Sequence, residues 1–356
     1  AIEDQLVKLD ILGHDDPTMI RMLEDSTGVE ALKIPLDDPK TLDLFSSVES
    51  LGVHEDDIGT SVGTLGIPEF GTRFVRQMLE DTRPKTFGEL VRISGLSHGT
   101  NVWANNAQDL IRQGVTDLSN AIATRDDIMN YLILRGMEPG VAFQIMEGVR
   151  RGRGLRPEDE QAMKNIQIPE WYIESCRKIS YLFPKAHAVA YVTMAFRIAY
   201  FKVHHPLEFY ATYFSTRFDN FEIQLSRYEI PELRNAIKKI RDKGNNATAK
   251  ERNVLTVAEV MLEAKVRGIE FLPVDIYLSH PTQFDRQDGK LLPPLSSVQG
   301  VGIGAARALI EGRKGPKFTS WEDIRLRCGV SKTVIEVLAE LGALGDLPES
   351  AQLSLF

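Results

Sequence analysis

The spacing of apolar positions changes character along the chain. The opening QLVKLDILG alternates as a half-buried strand does and stops at Gly13. Next, DDPTMIRMLEDSTG shifts to helical spacing, with Asp placed to cap it, Pro17 in the first turn and Gly28 as the stop. Helical spacing then persists to about residue 215, punctuated by Gly and Pro turns, through DPKTLDLFSS, PEFGTRFVRQMLEDTRPKTFGELVRIS and NAQDLIRQG. Inside it, YLFPKAHAVAYVTMAFRIAYFKVHH at 181–205 predicts a long buried helix, apolar on nearly every face. Residues 231–268 read as two polar-faced helices, ELRNAIKKIRDKG and AKERNVLTVAEVMLEAKVRG. A short strand-and-turn segment follows, with Asp288-Gly289 as its hairpin turn, then two compact helical units and a polar tail ending AQLSLF. The pattern therefore predicts a mainly α chain with small β elements.

Composition narrows the function classes. At 356 residues the chain can hold two or three domains with real cores. A formal net charge of −8 argues against indiscriminate adhesion to nucleic acid or anionic membrane, so any nucleic-acid contact must come from local basic surfaces. Two cysteines, Cys176 and Cys328, lie outside any metal-ligand spacing and suit a reducing cytoplasmic setting. No apolar run has the length of a membrane span, and no leader precedes the first strand. A start on Ala1, directly into a strand-like run, reads as a piece of something longer.

Chemistry-bearing residues concentrate in a few places. At the long helix, Pro184 suits the first helical position, and Lys185 and His187 follow in the first turn. The open N–H groups and positive dipole end of the helix join those two side chains in what reads as a triphosphate pocket, with the Tyr181 ring just upstream. The plainer reading is a core helix whose polar first turn merely caps it. In SSVQGVGIGAARALIEGR, the run Gly300-Val301-Gly302-Ile303-Gly304 has the form of a helix-hairpin-helix turn. Its glycines allow backbone N–H groups to face a phosphate, Val301 and Ile303 anchor it, and Arg307 and Arg313 add charge. Such a turn grips duplex DNA without reading sequence. A second, degenerate unit follows in SKTVIEVLAELGALGDL.

Three further features are more open. The loop GVRRGRGLRPED, with Arg150, Arg151, Arg153 and Arg156 among glycines, is either a solvated connection or a phosphate-facing loop. The terminal Gln352, Leu353, Ser354, Leu355 and Phe356 either dock in a partner's groove or fold back on their own domain. Asp10, at a strand end, could be a turn former or a metal ligand. No D-x-D pair on a strand partners it, since the other acidic clusters sit on helix starts or turns.

Taken together, YLFPKAHAVAY, FKVHHPLEFYA, DQLVKLDILGHDDPTMIRMLED, GIPEFGT, GLSHGTNVW, RDDIMNYLI, PEWYIESC and QLSLF resemble the C-family bacterial replicative DNA polymerases, in the C-terminal portion of the DNA polymerase III alpha subunits of PolC type. The resemblance spans essentially the whole chain. It implies a last palm strand at 1–16, a fingers domain at 17–215, a duplex-binding domain with its helix-hairpin-helix at 216–345, and a tail at 346–356 carrying the clamp-binding peptide. It also implies that Asp10 is the third of three palm aspartates holding two Mg2+ ions. Arg125, Tyr181, Lys185 and His187 would bind the incoming dNTP. Gly300, Val301, Gly302, Ile303, Gly304 and Arg307 would hold primer-template DNA, and Gln352–Phe356 the sliding clamp. The family's first two catalytic aspartates, and its exonuclease, PHP, OB, thumb and most palm regions, are not in the sequence, so the chain by itself is expected not to polymerise DNA. The remaining polymerase domains are then required partners.

A competing class is a non-catalytic DNA-binding and clamp-tethering module that uses only the hairpin and the tail. It has no reason to place Arg125, Tyr181, Lys185 and His187 around one pocket. A helix-hairpin-helix repair glycosylase would need a base pocket, which nothing in the sequence suggests.

Overall fold

The computed structural model describes residues 13–350. Asp10 and the Gln352–Phe356 segment lie outside these described residues, as does most of the expected palm strand.

The first described helix is Asp15–Thr27, closed by Gly28 in the left-handed conformation at φ 72°. Short helices and turns follow to Arg73–Thr82 and Phe87–His98, each opened by a threonine, Thr72 or Thr86, whose side chain accepts from the third helical N–H. After an irregular π-type turn at Trp103–Ala107 come the helix pair Arg125–Leu134 and Pro139–Arg150, then Glu170–Lys178. The long helix runs Lys185–His204 and turns directly into Pro206–Ser215.

That long helix organises the core. It packs against Asp15–Thr27, Pro39–Asp43, Phe87–His98 and Pro206–Ser215. Val192, Ala195, Phe196 and Ala199 form one buried row, and Ile198, Phe201 and Lys202 a second, so its C-terminal half is enclosed on most sides. Its first turns are different: Lys185, Ala186, His187, Val189 and Ala190 are exposed. The uniform apolarity of the sequence suggests burial throughout. The later turns are enclosed by the neighbours named above, while the first turns bury only Ala188 and leave Ala186 and Ala190 as an open shoulder.

A buried ion pair joins this helix to Ala249–Val266. The Lys202 ammonium, 0% exposed, lies 2.7 Å from Glu263 Oε1, which is equally buried. Its other donors reach the carbonyls of Gly63 at 2.7 Å and Leu65 at 2.6 Å. Tyr210 donates to the same Glu263 oxygen at 2.6 Å. Burial pushes the ammonium down to about 8 against the pull of Glu263, and the three acceptors around it suit a group with three donors. The pair crosses the domain boundary expected near 215 and fixes the two sides together.

The helices expected within 231–268 are Ile230–Arg241 and Ala249–Val266, packed on one another. Beyond them, Asp285–Gln287 pairs antiparallel with Lys290–Leu292. The connecting Asp288 and Gly289 have φ of 52° and 76°, the two left-handed residues that a tight hairpin needs. Phe214, Phe221 and Phe284 interlock at ring separations of 4.8–5.5 Å and tie this hairpin to the end of Pro206–Ser215. The last helices are Ile303–Gly312, Trp321–Cys328 and Lys332–Glu340. Both cysteines are free and buried. Among the described residues no helix is long and apolar enough to cross a membrane.

Candidate nucleotide and nucleic-acid sites

Two helix starts meet at the exposed shoulder of the long helix. Residues 180–183 run as an extended connector and bridge Thr100 at Tyr181 and Thr124 at Phe183. The Arg125 N–H donates to the Phe183 carbonyl at 3.2 Å, so the first residue of Arg125–Leu134 lies against the entry to Lys185–His204. Pro184 precedes this helix as its cap, in extended conformation, and Lys185 is the first helical residue. That is one position from where the sequence places it. The Lys185 N–H donates to Asp126 Oδ2 at 2.8 Å. A carboxylate from the adjoining helix thus takes the first of the N–H groups that a helix start leaves unpaired.

The expected side chains divide. Arg125 is half-buried and pairs with no described carboxylate, and Tyr181 is 40% exposed. Lys185 reaches toward Asp127, with Nζ 3.9 Å from Oδ1, over a cavity of about 800 Å³ lined also by Arg92, Tyr131 and Trp171. His187 turns the other way. Its ring stands edge-on to Phe183 at 4.9 Å and 4.5 Å from the ring of Tyr191, which continues to His14 at 5.3 Å. Two residues apart on a helix means roughly 200° of rotation, and that is why one pocket does not close around both. Arg125 and Lys185 are brought to neighbouring backbone positions; His187 lies on the far flank.

Four residues that sequence reasoning missed complete the surface. Asp127 caps its own helix, accepting from Thr124 N at 2.8 Å, and faces Arg92 at 3.5 Å. With Asp126 it puts acid among the cations. His98 stacks on Phe183 at 4.8 Å. Its Nδ1 faces the Ser94 carbonyl at 2.8 Å and its Nε2 faces Glu69 at 3.1 Å. Two acceptors at the two ring nitrogens favour the doubly protonated ring, and the Glu69 hydrogen bond raises its pKa. Glu69 itself has φ 67°, a strained position for a residue with a side chain. The run GLSHGTNVW contains His98, but nothing in the sequence says that Glu69 meets it.

The basic loop borders this surface. A Cβ on Gly152 would fall 2.6 Å from the Ser180 carbonyl, so the glycine lets the loop lie against the connector beside Tyr181. Arg150 and Arg151 are engaged by Glu147, and Arg156 by Asp159, while Arg153 is exposed with no described ion-pair partner. Most of the loop's charge is therefore spent internally.

At the helix-hairpin-helix, the first helix is reduced to one 3-10 turn, Leu295–Ser297, and Ile303–Gly312 is the second. Gly300 has φ 92° and makes the turn. Val301 is buried as an anchor, but Ile303 is 41% exposed and does not anchor. It opens the second helix and points away from the core. A Cβ on Gly302 or Gly304 would meet nothing within 4 Å, and neither has positive φ. Their smallness therefore serves no contact within the chain and leaves the backbone open to approach from outside. Arg307 is exposed. Arg313 donates to the carbonyls of Ile276 at 3.0 Å and Ser279 at 2.8 Å, which makes it a structural clamp.

Among the described residues, no group of three or more His, Cys, Asp or Glu could hold a metal ion. The candidate metal ligand, Asp10, is outside them.

The fold and these surfaces fit a class of protein that comparison makes explicit. Residues 16–167 match the family described as bacterial DNA polymerase III alpha subunit finger domain, and residues 268–353 match the helix-hairpin-helix motif. The chain is 60% identical to the PolC-type DNA polymerase III of Caldanaerobacter subterraneus, 55% to that of Bacillus subtilis and 52% to that of Clostridium perfringens. Each alignment covers 100% of this chain and 25% of the relative. The chain belongs to the PolC-type DNA polymerase III family, and it spans a quarter of the length of these curated relatives.

Proposed function

We propose that this chain is the part of a replicative DNA-directed DNA polymerase that binds the incoming dNTP, the primer-template duplex and the sliding clamp. Template-directed nucleotidyl transfer then belongs to the intact enzyme with its remaining domains. The observation that carries the reading is the pair of tied helix starts at Arg125 and Lys185, the first of them inside residues 16–167 that match a polymerase finger domain. Two cationic residues at adjoining helix N-termini suit a triphosphate. Lys185 exchanges its loose contact with Asp127 for a phosphate oxygen, Arg125 supplies a fork of donors, and Tyr181 offers a face to base or sugar. His187, on the other flank, borders the site at longer range.

In this reading Asp10 would be one carboxylate of a two-magnesium site completed by residues outside the sequence, and the chemistry supplied there would be Lewis-acid activation of the primer hydroxyl and stabilisation of the leaving group. The task of this chain's own described groups is to neutralise and orient phosphate. The open backbone at Gly302 and Gly304, with Arg307, holds the duplex phosphates, and Gln352–Phe356 tethers the clamp.

The test is calorimetric titration of a dNTP into the chain with magnesium. Arg125→Gln and Lys185→Gln should each weaken binding about tenfold, the lower range for losing a hydrogen bond to a charged group. Unchanged affinity in both variants, with duplex binding intact, sinks the nucleotide assignment and leaves a DNA-tethering module.

A further inference from the structure

A second cluster of arginines lies away from the Lys185 cavity and the hairpin. A cavity of about 460 Å³ opens between segment 66–76, the end of Pro206–Ser215 and the helices Ile230–Arg241 and Ala249–Val266. Arg73, Arg76, Arg217, Arg241 and Arg252 line it, against the carboxylates of Glu69 and Glu259. Glu69 is engaged by His98. Glu259 is shared by Arg241 at 2.6 Å and Arg76 at 3.6 Å. Arg217 lies over the Tyr213 ring at 4.6 Å and donates to Thr216 Oγ1 at 2.8 Å, and Arg252 donates to the Ala247 carbonyl. Arg73 pairs with no described carboxylate.

Two buried polar atoms of the wall lack partners. The Arg76 Nε is enclosed with no hydrogen-bond acceptor. Tyr213, 1% exposed, has a hydroxyl with no partner either. Buried donors are ordinarily satisfied, and an orphan one costs about 1–3 kcal/mol. Burial pushes the pKa of Arg76 down, against the pull of Glu259 and Glu80 and with a smaller push from Arg241. Glu259 accounts for Arg241 and Arg76, but no described carboxylate forms an ion pair with Arg73, Arg217 or Arg252. A ligand with several anionic oxygens suits them, since planar forks engage phosphate in pairs.

We propose that this arginine cleft is a phosphate-binding site, separate from the dNTP cradle and the duplex hairpin, that takes phosphates of a nucleic-acid strand. Arg73, Arg217 and Arg252 contact the phosphates from the mouth.

The probes are a labelled mixed-sequence single-stranded oligonucleotide, read by anisotropy across a salt series, and inorganic pyrophosphate, read by thermal shift. The variant Arg73→Gln/Arg252→Gln alters two exposed side chains. It should lower oligonucleotide affinity about tenfold and reduce the slope of log K against log salt by about 1.4, at roughly 0.7 per lost single-strand contact. The Lys/Lys version should restore most of both. If only pyrophosphate stabilisation is lost, the site exists but its source is a free anion. If the double variant binds both probes as the wild type does, or neither probe binds the wild type, the proposal falls. Arg307→Gln separates the readings: it reports on the hairpin and should leave the pyrophosphate shift unchanged. Should the Gln variant not fold, phenylglyoxal footprinting of the wild type decides. Protection of Arg73, Arg217 and Arg252 by a probe supports the site, and equal modification with and without probes removes it.

Discussion

Replacing Lys202 by Met isolates what the buried ion pair does. The ammonium makes three contacts, to Glu263, Gly63 and Leu65, at 2.6–2.7 Å, and its side chain is 0% exposed. Methionine fills most of the volume and supplies no donor. Glu263 then keeps only the Tyr210 hydroxyl, because its second oxygen already lacks a partner. Removing one member of a buried pair costs about 3–5 kcal/mol, mostly through the charge left behind. Unfolding entropy of roughly 2.1 cal/mol/K per residue over 356 residues gives about 0.75 kcal/mol/K. A loss of about 4 kcal/mol therefore lowers Tm by about 5 °C for cooperative unfolding of the chain. Lys202→Met/Glu263→Met removes the stranded charge and should recover about half of that loss. The rest persists because the carbonyls of Gly63 and Leu65 remain without a donor. Calorimetry on both variants provides the check. A single variant melting within 1 °C of wild type, or a double variant worse than the single, refutes the reasoning.

Two other outcomes are expected. His98, held between Ser94 and Glu69, should titrate by NMR above the ordinary imidazole value, and Glu69→Gln should return it toward about 6.5. Because the folded value is raised, the pair's contribution to stability is complete below about 6.5 and disappears as pH rises through the folded pKa; a midpoint unmoved by Glu69→Gln contradicts the assignment. Gly302→Ala should leave melting within about 0.5 kcal/mol of wild type, since the new methyl meets nothing and φ is negative, while duplex affinity falls several-fold. Equal duplex binding by filter retention would show that the hairpin backbone does not approach DNA.

Local signals were legible in the sequence and their pairings were not. The Asp288-Gly289 turn, the Gly28 stop and the helices of 231–268 follow from rules that act over a few residues, and they stand where those rules put them. The GVGIG run likewise announced its turn, although Ile303 is exposed because a single 3-10 turn stands in for the first helix. Long-range juxtapositions carried no such mark. Lys202 looks like a cation at the end of an apolar helix, and only the fold brings Glu263 to it. Asp126 and Asp127 read as ordinary first-turn acids, though one caps the neighbouring helix and the other faces Lys185. The two-residue spacing of Lys185 and His187 already contained their divergence, which the apparent clustering of charge concealed.

The connector at 180–183 has a mechanical consequence. Since Phe183 is stitched to Thr124 on one side while Tyr181 is stitched to Thr100 on the other, three separate stretches of chain share one seam. A swing of either helix start drags its neighbour along, so Arg125 and Lys185 advance or retreat as a unit. Their energetic effects on any ligand should be coupled, and a double-mutant cycle between them is the place where that coupling becomes a number.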